Sequence, residues 1–348
     1  MFLIKEFFKS FVFSKKKRIG FVLSVLPSPY YGRVMASTRL RVYDVINNFQ
    51  NSKDYFLELY KPWKKYDVVI FQKKFDDKAL RLAQKLKKKG VKIILDINVN
   101  YYDRTVLNTS AMPQHNQIIQ FTQIVDGIIA STEYIKNYAK KLFPEKKIIC
   151  IPENITDNFF SVRKKTKEKN DHLKLMYVGY AVKAIEVLDI EKVLRELHKN
   201  YNLSLLLICD KNPEILVDGI KVGFIKYKQR KIHKQMLGGD IFIAPRDLSN
   251  SYNLGHSFTK IGYPMSIGIP VIASKVSSYA GSPAILCESP TDWYDNLSLL
   301  LKDTQRREAI AKDGITYCKE NFSESVITKK YLSFFNEITH IDRISSPE

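Results

Sequence analysis

The chain has 348 residues, 45% of them hydrophobic and 26% charged, the balance of a folded soluble protein long enough for two domains with separate cores. Its 56 Lys and Arg against 36 Asp and Glu leave a net charge of +20, which favours anionic partners such as a nucleotide-sugar, a lipid diphosphate or an acidic membrane surface. Zinc-ligand spacing, a basic zipper and aromatic RNA-binding motifs are absent, so nucleic acid is not expected. The widely spaced Cys150, Cys209, Cys287 and Cys318 exclude a disulfide framework and suit a reducing cytoplasm.

Residues 1–17 come first. On a helix Leu3, Phe7, Phe8 and Phe11 share one face, and Lys15-Lys16-Lys17-Arg18 follows. That pattern fits a segment lying in the interface of an anionic membrane, or a helix packed on the protein's own body. Its charges interrupt the apolar residues, unlike a signal peptide, and no run in the chain reaches the roughly 18 apolar residues of a spanning helix.

Strand and helix signals then alternate. Residues 19–26 read as a buried strand and 38–49 as a helix with Ser37 at its N-cap. Strands follow at 67–72, 91–97, 127–130 and 148–151, with helices at 77–89, 117–124 and 132–142. Gly90 ends the first of these helices, and Pro152-Glu153-Asn154 closes the unit. After a polar run at 163–172 the pattern restarts, with strands at 173–179, 203–209 and 220–222 and helices at 189–199 and 230–237. The expected fold is α/β, with two Rossmann-like, doubly wound parallel-sheet domains facing across a cleft. Residues 18–155 make the first domain, 156–172 a linker, 173–322 the second domain, and 323–348 a closing helix.

The most informative stretch starts at Asp240-Ile241-Phe242-Ile243-Ala244-Pro245, a buried strand ending in the loop 246–257. Phe258 to Ser266 reads as a short helix, Gly268-Ile269-Pro270 as a turn, and Val271-Ile272-Ala273-Ser274 as another buried strand. Strand carboxyl ends and the following helix N-termini form the ligand crevice of such sheets. His256 and Lys260 sit there, so a phosphate-bearing ligand is expected.

Lys260 through Ser274 resembles the Lys-Leu-x-Glu-Tyr-Met-Ala-x-Gly-x-Pro-Val-(Ile/Val)-Ala-(Ser/Thr) stretch of GT-B glycosyltransferases, in particular the large retaining family 4 of envelope-glycan enzymes. Val125 to Thr132, Lys147 to Asn154 and the Asn321-Phe322-Ser323 region are similar to family segments, so the resemblance extends over most of the chain. It implies transfer of a sugar from a nucleotide-sugar to a lipid-linked or polysaccharide acceptor in capsule, lipopolysaccharide or related synthesis, on the inner face of the cytoplasmic membrane. One departure stands out: Tyr263 occupies the position of the family Glu that holds the donor ribose, and a phenol cannot offer two acceptor oxygens. A degenerate, non-catalytic partner protein and a nucleotide-sugar epimerase are therefore the alternatives.

The resemblance assigns the candidate residues. Lys183 and Lys260 would balance diphosphate charge in the departing donor, with Asp96 as candidate base. Gly179, Tyr180, Phe224, Arg246, His256, Ser257 and Tyr263 would line the donor side. Ser37, Arg39, Arg41, Asn98, Asn100 and Asp103 would line the acceptor side; Arg39 and Arg41, two apart on a helix, point different ways, so one serves the ligand. Paired Cys/His and Asp-x-Asp motifs are absent, and neither a metal nor another cofactor is expected.

Overall fold

The computed structural model describes residues 16–24, 36–104, 112–164, 172–249 and 251–340. The expected interfacial segment (but for its last two residues), the loop 27–35 and residues 165–171 of the expected linker 156–172 lie outside them. Among the described residues, twelve strands form two six-stranded sheets in which every ladder is parallel. The first contains β1 (Lys17–Leu23), β2 (Tyr55–Leu59), β3 (Val68–Gln72), β4 (Lys92–Ile97), β5 (Gly127–Ala130) and β6 (Lys147–Cys150), in the order β2-β1-β3-β4-β5-β6. The second contains β7 (Leu173–Gly179), β8 (Leu203–Cys209), β9 (Lys221–Lys226), β10 (Ile241–Ala244), β11 (Val271–Ser274) and β12 (Ile285–Cys287), in the order β12-β11-β10-β7-β8-β9. The strand order reverses between β1 and β3 and again between β7 and β10. Crevices at such reversals are where doubly wound sheets bind ligands.

The central strands follow from their composition. Every residue of β3, β8, β10 and β11 is buried, which is why these runs are apolar without alternation. Of the edge strands, β2 and β12 escaped the sequence reading and β9 was read short, whereas β6 falls where a strand was expected at 148–151. β2 carries Glu58 and an exposed Phe56. β9 extends well past the expected 220–222, because its exposed Lys221 and Lys226 interrupt the apolar signal. The expected helix at 230–237 is instead three short turns, Gln229–Lys231, Ile232–Gln235 and Met236–Gly238.

The last helix, Glu324–His340, packs on the first sheet. Its Ile327, Tyr331, Phe334 and Phe335 join a core with Ile19, Val68 and Ile70, and Tyr55 donates its hydroxyl to Asn336 Oδ1 at 2.6 Å. The chain enters the second lobe and leaves it at one place. Ile155 N–H donates to the Phe322 carbonyl at 2.7 Å, and Ile155 bridges Ser323 in parallel. Among the described residues no helix is long and apolar enough to cross a membrane.

Candidate functional site

Gly179 ends β7, and a Cβ on it would lie 2.8 Å from the Tyr177 hydroxyl. Glycine thus leaves room for the Tyr177 ring to lie against the end of the strand. Tyr180 projects outward at 58% exposure, and the helical turn Ala181–Ala184 begins with Ala181 N–H donating to Asp210 Oδ1 at 2.8 Å. Lys183 and Glu186 are three residues apart and face one another, with Lys183 Nζ 4.0 Å from Glu186 Oε1.

Arg246 arrives from β10. Ser274 Oγ accepts from its backbone N–H at 2.8 Å, Nη1 pairs with Glu186 Oε2, and Nη2 donates to His256 Nε2 at 3.1 Å. A guanidinium only donates, so His256 accepts at Nε2 and carries its proton on Nδ1, 3.3 Å from the Ser257 carbonyl. Lys260 donates to the Val178 carbonyl and lies 3.7 Å from the centroid of the Tyr177 ring. Lys183, Arg246 and Lys260 thus converge where the second sheet reverses its order.

The electrostatics follow from that crowding. Burial, then the charges of Arg246 and Lys260, holds the His256 imidazole well below its ordinary value. Burial, then Arg246, pulls the Lys260 ammonium well below its own. Arg246 Nε and the Tyr177 hydroxyl are buried without a hydrogen-bond partner. Unmet donors in such a place are costly, and a group with several anionic oxygens satisfies both donors and charge at once.

The remaining donor-side residues stand elsewhere. Ser257 donates its hydroxyl to Glu153 at 2.5 Å, and so is engaged with the first lobe. Tyr263 stacks on Phe159 with ring centroids 4.2 Å apart and planes 9° from parallel. Burial pushes its phenol up, with Arg39 and Asp44 of the first lobe among the charges it feels. Phe224 is exposed on the edge strand β9, two strands from β7.

On the first lobe, residues 36–48 form a helix interrupted by a π turn at Arg39–Tyr43, a feature frequent at functional sites. Ser37 lies inside the first turn at Ala36–Thr38 and not at the N-cap. The two arginines diverge. Arg39 is partly buried, 3.8 Å from Asp44. Arg41 is 1% exposed, holds Asp96 through Nε and Nη2 at 2.7 Å each, and donates to the Ile151 carbonyl at 3.0 Å. Both residues were expected at the ligand, Arg41 on the acceptor side and Asp96 as base. The structure seals them in a mutual pair, because a buried guanidinium requires a buried anion.

Asn98 and Asn100 follow β4 into the crevice, and buried amide atoms of both have no partner. Asp103 lies farther along, beside Tyr138. The epimerase alternative needed Asp96 and Asp103 free for proton transfer, and Asp96 is not.

Sequence reasoning missed Glu186, Tyr177 and Tyr252, the last with its ring centroid 4.9 Å from Lys183 Nζ. Only the three-residue spacing of Lys183 and Glu186 hinted at the first. Among the described residues no group of His, Cys, Asp and Glu is arranged to hold a metal ion.

No protein-family model matches the chain, and no curated protein does. Solved structures do match. A glycosyltransferase from Rickettsia africae superimposes with a TM-score of 0.64 at 12% identity, over 94% of this chain and 99% of that one. Anabaena HepE in complex with UDP gives 0.64 at 11% identity over 92% and 100%. Sucrose-phosphate synthase from Thermosynechococcus elongatus gives 0.58 at 13% over 78% and 74%. These neighbours are GT-B glycosyltransferases, and the chain has their fold.

Proposed function

We propose that the protein is a glycosyltransferase that moves a sugar from a nucleoside-diphosphate donor to a lipid-linked or polysaccharide acceptor of a bacterial cell envelope. The observation that carries this reading is the gathering of Lys183, Arg246 and Lys260 at the sheet reversal of the second lobe. Breaking a glycosidic bond to phosphate leaves charge on the departing oxygens, and fixed cations at that point lower the barrier without having to reorganise. Crystallised neighbours of the same fold hold UDP and UDP-glucose, which supports a uridine donor as the first to test. Retention of configuration and independence from metal follow from the resemblance of residues 260–274. The net charge of +20 supports an acceptor presented at an anionic membrane face.

A second reading, a non-catalytic protein of the same fold, is favoured by Tyr263, whose ring is stacked on Phe159 and whose hydroxyl is buried without a partner. Calorimetric titration with UDP-, GDP- and CMP-sugars, followed by transfer assays with envelope acceptors, separates the two. The transferase reading expects saturable binding and turnover of one donor. Binding without turnover, or silence across the panel, favours the second reading and overturns the first.

A further inference from the structure

Glu186 has no place in the cation clamp as drawn so far. A carboxylate within reach of an intended phosphate opposes its binding by charge alone, yet Glu186 is buried among the clamp's cations. Its two oxygens are divided, Oε2 pairing with Arg246 Nη1 and Oε1 standing 4.0 Å from Lys183 Nζ. Arg246 is also tied at Nη2 by His256, at 3.1 Å. With both terminal nitrogens held from opposite sides, the guanidinium plane is fixed. Its Nε–H is buried and makes no hydrogen bond of good geometry, with the Tyr279 phenol close by, and each terminal nitrogen keeps a second N–H. An arginine left to itself in a cluster with Lys260 and Lys183 would be pushed away from its like-charged neighbours.

We propose that Glu186 is a positioning residue which fixes Arg246 and Lys183 for the distal phosphate of a nucleoside diphosphate, and so makes the site selective for diphosphate over monophosphate. The inference rests on the transferase reading and deepens it. Three cations and one carboxylate, with His256 neutral, give the clamp a net positive charge spread from Lys183 through Arg246 to Lys260. A diphosphate has two phosphoryl groups to set against that spread, and a monophosphate has one. The Nε donor of Arg246 and the Tyr177 hydroxyl acquire acceptors in the same event.

The test compares UDP with UMP, and GDP with GMP, by calorimetry on the full chain and on E186Q and E186D. Simple charge accounting expects E186Q to bind every nucleotide more tightly. Positioning predicts the opposite for one ligand only. Diphosphate affinity falls at least tenfold in E186Q, monophosphate affinity changes less than twofold, and E186D, which keeps the charge, recovers most of the loss. Unfolding midpoints recorded alongside identify any variant that fails to fold, and E186A then takes the place of E186Q in the comparison. A merely structural role for Glu186 would weaken both nucleotides alike, and that result overturns the proposal, as does unchanged or tighter diphosphate binding. If the unaltered chain binds neither nucleotide of either pair, the transferase reading itself fails, an outcome distinct from the others.

Discussion

Ser257 donates its hydroxyl to the Glu153 carboxylate at 2.5 Å, and this bond joins the two lobes beside the place where the chain passes between them. Glu153 also lies 3.6 Å from Arg41, which grips Asp96 at 2.7 Å. The path Asp96, Arg41, Glu153, Ser257 therefore runs from β4 of the first sheet to a point two residues before the helix Thr259–Ser266 that carries Lys260. Removing one partner of a buried ion pair leaves an uncompensated charge. Asp96→Asn is accordingly expected to destabilise the fold by about 3–5 kcal/mol. Ser257→Ala should cost about 1.5–3 kcal/mol, the worth of a hydrogen bond to a charged group. Denaturant unfolding measures both, and an Asp96→Asn variant as stable as the parent chain would contradict the placement of the pair.

His256 makes stability depend on pH. Burial lowers its pKa well below the ordinary value in the folded chain, so the unfolded chain binds the extra proton first. Stability is then full above the unfolded value, about 6.5, and declines as pH falls below it. His256→Gln should flatten that part of the stability profile. A profile that keeps the same slope in the variant would assign the dependence to another group.

Burial, then Arg246, lowers the Lys260 ammonium in the same way, and a dianion beside it favours the charged form. Lys260→Ala should therefore weaken binding of a nucleoside diphosphate by about 1.5–3 kcal/mol. Unchanged affinity would remove Lys260 from the site.

The N-terminal pattern of Leu3, Phe7, Phe8 and Phe11 with its basic follower predicts membrane association separable from nucleotide binding. Deleting residues 2–14 leaves β1 intact, since that strand starts at Lys17. The shortened chain should no longer sediment with anionic liposomes and should still bind nucleotide. Sedimentation that persists would place the lipid contact on the wider basic surface.

The sequence made the buried parts of the fold legible. β3, β8, β10 and β11 announce themselves because a strand covered on both faces must be apolar throughout, and the turn before β11 because Gly268 adopts a φ of 81°. Edge strands obey no such demand, so Lys221 and Lys226 hid the length of β9 and Glu58 disguised β2. The site was legible in its cations and not in its anions. His256 and Lys260 were found from their position after a strand, and Lys183 and Arg246 through the family resemblance. Glu186, the partner of Lys183 and Arg246, lies in a short 3₁₀ stretch, Ile185–Ile190, with no periodic signal of its own. Spacing showed that Arg39 and Arg41 diverge, but which one turns inward depends on Asp96, far away in sequence.

A crystal structure of the chain with UDP, or with whichever nucleoside diphosphate binds in solution, tests the central claim most directly. The account predicts pyrophosphate oxygens within hydrogen-bond distance of Arg246 Nε and Lys260 Nζ, between the ends of β7 and β10. A nucleotide seated anywhere else, with those two nitrogens untouched, would contradict it.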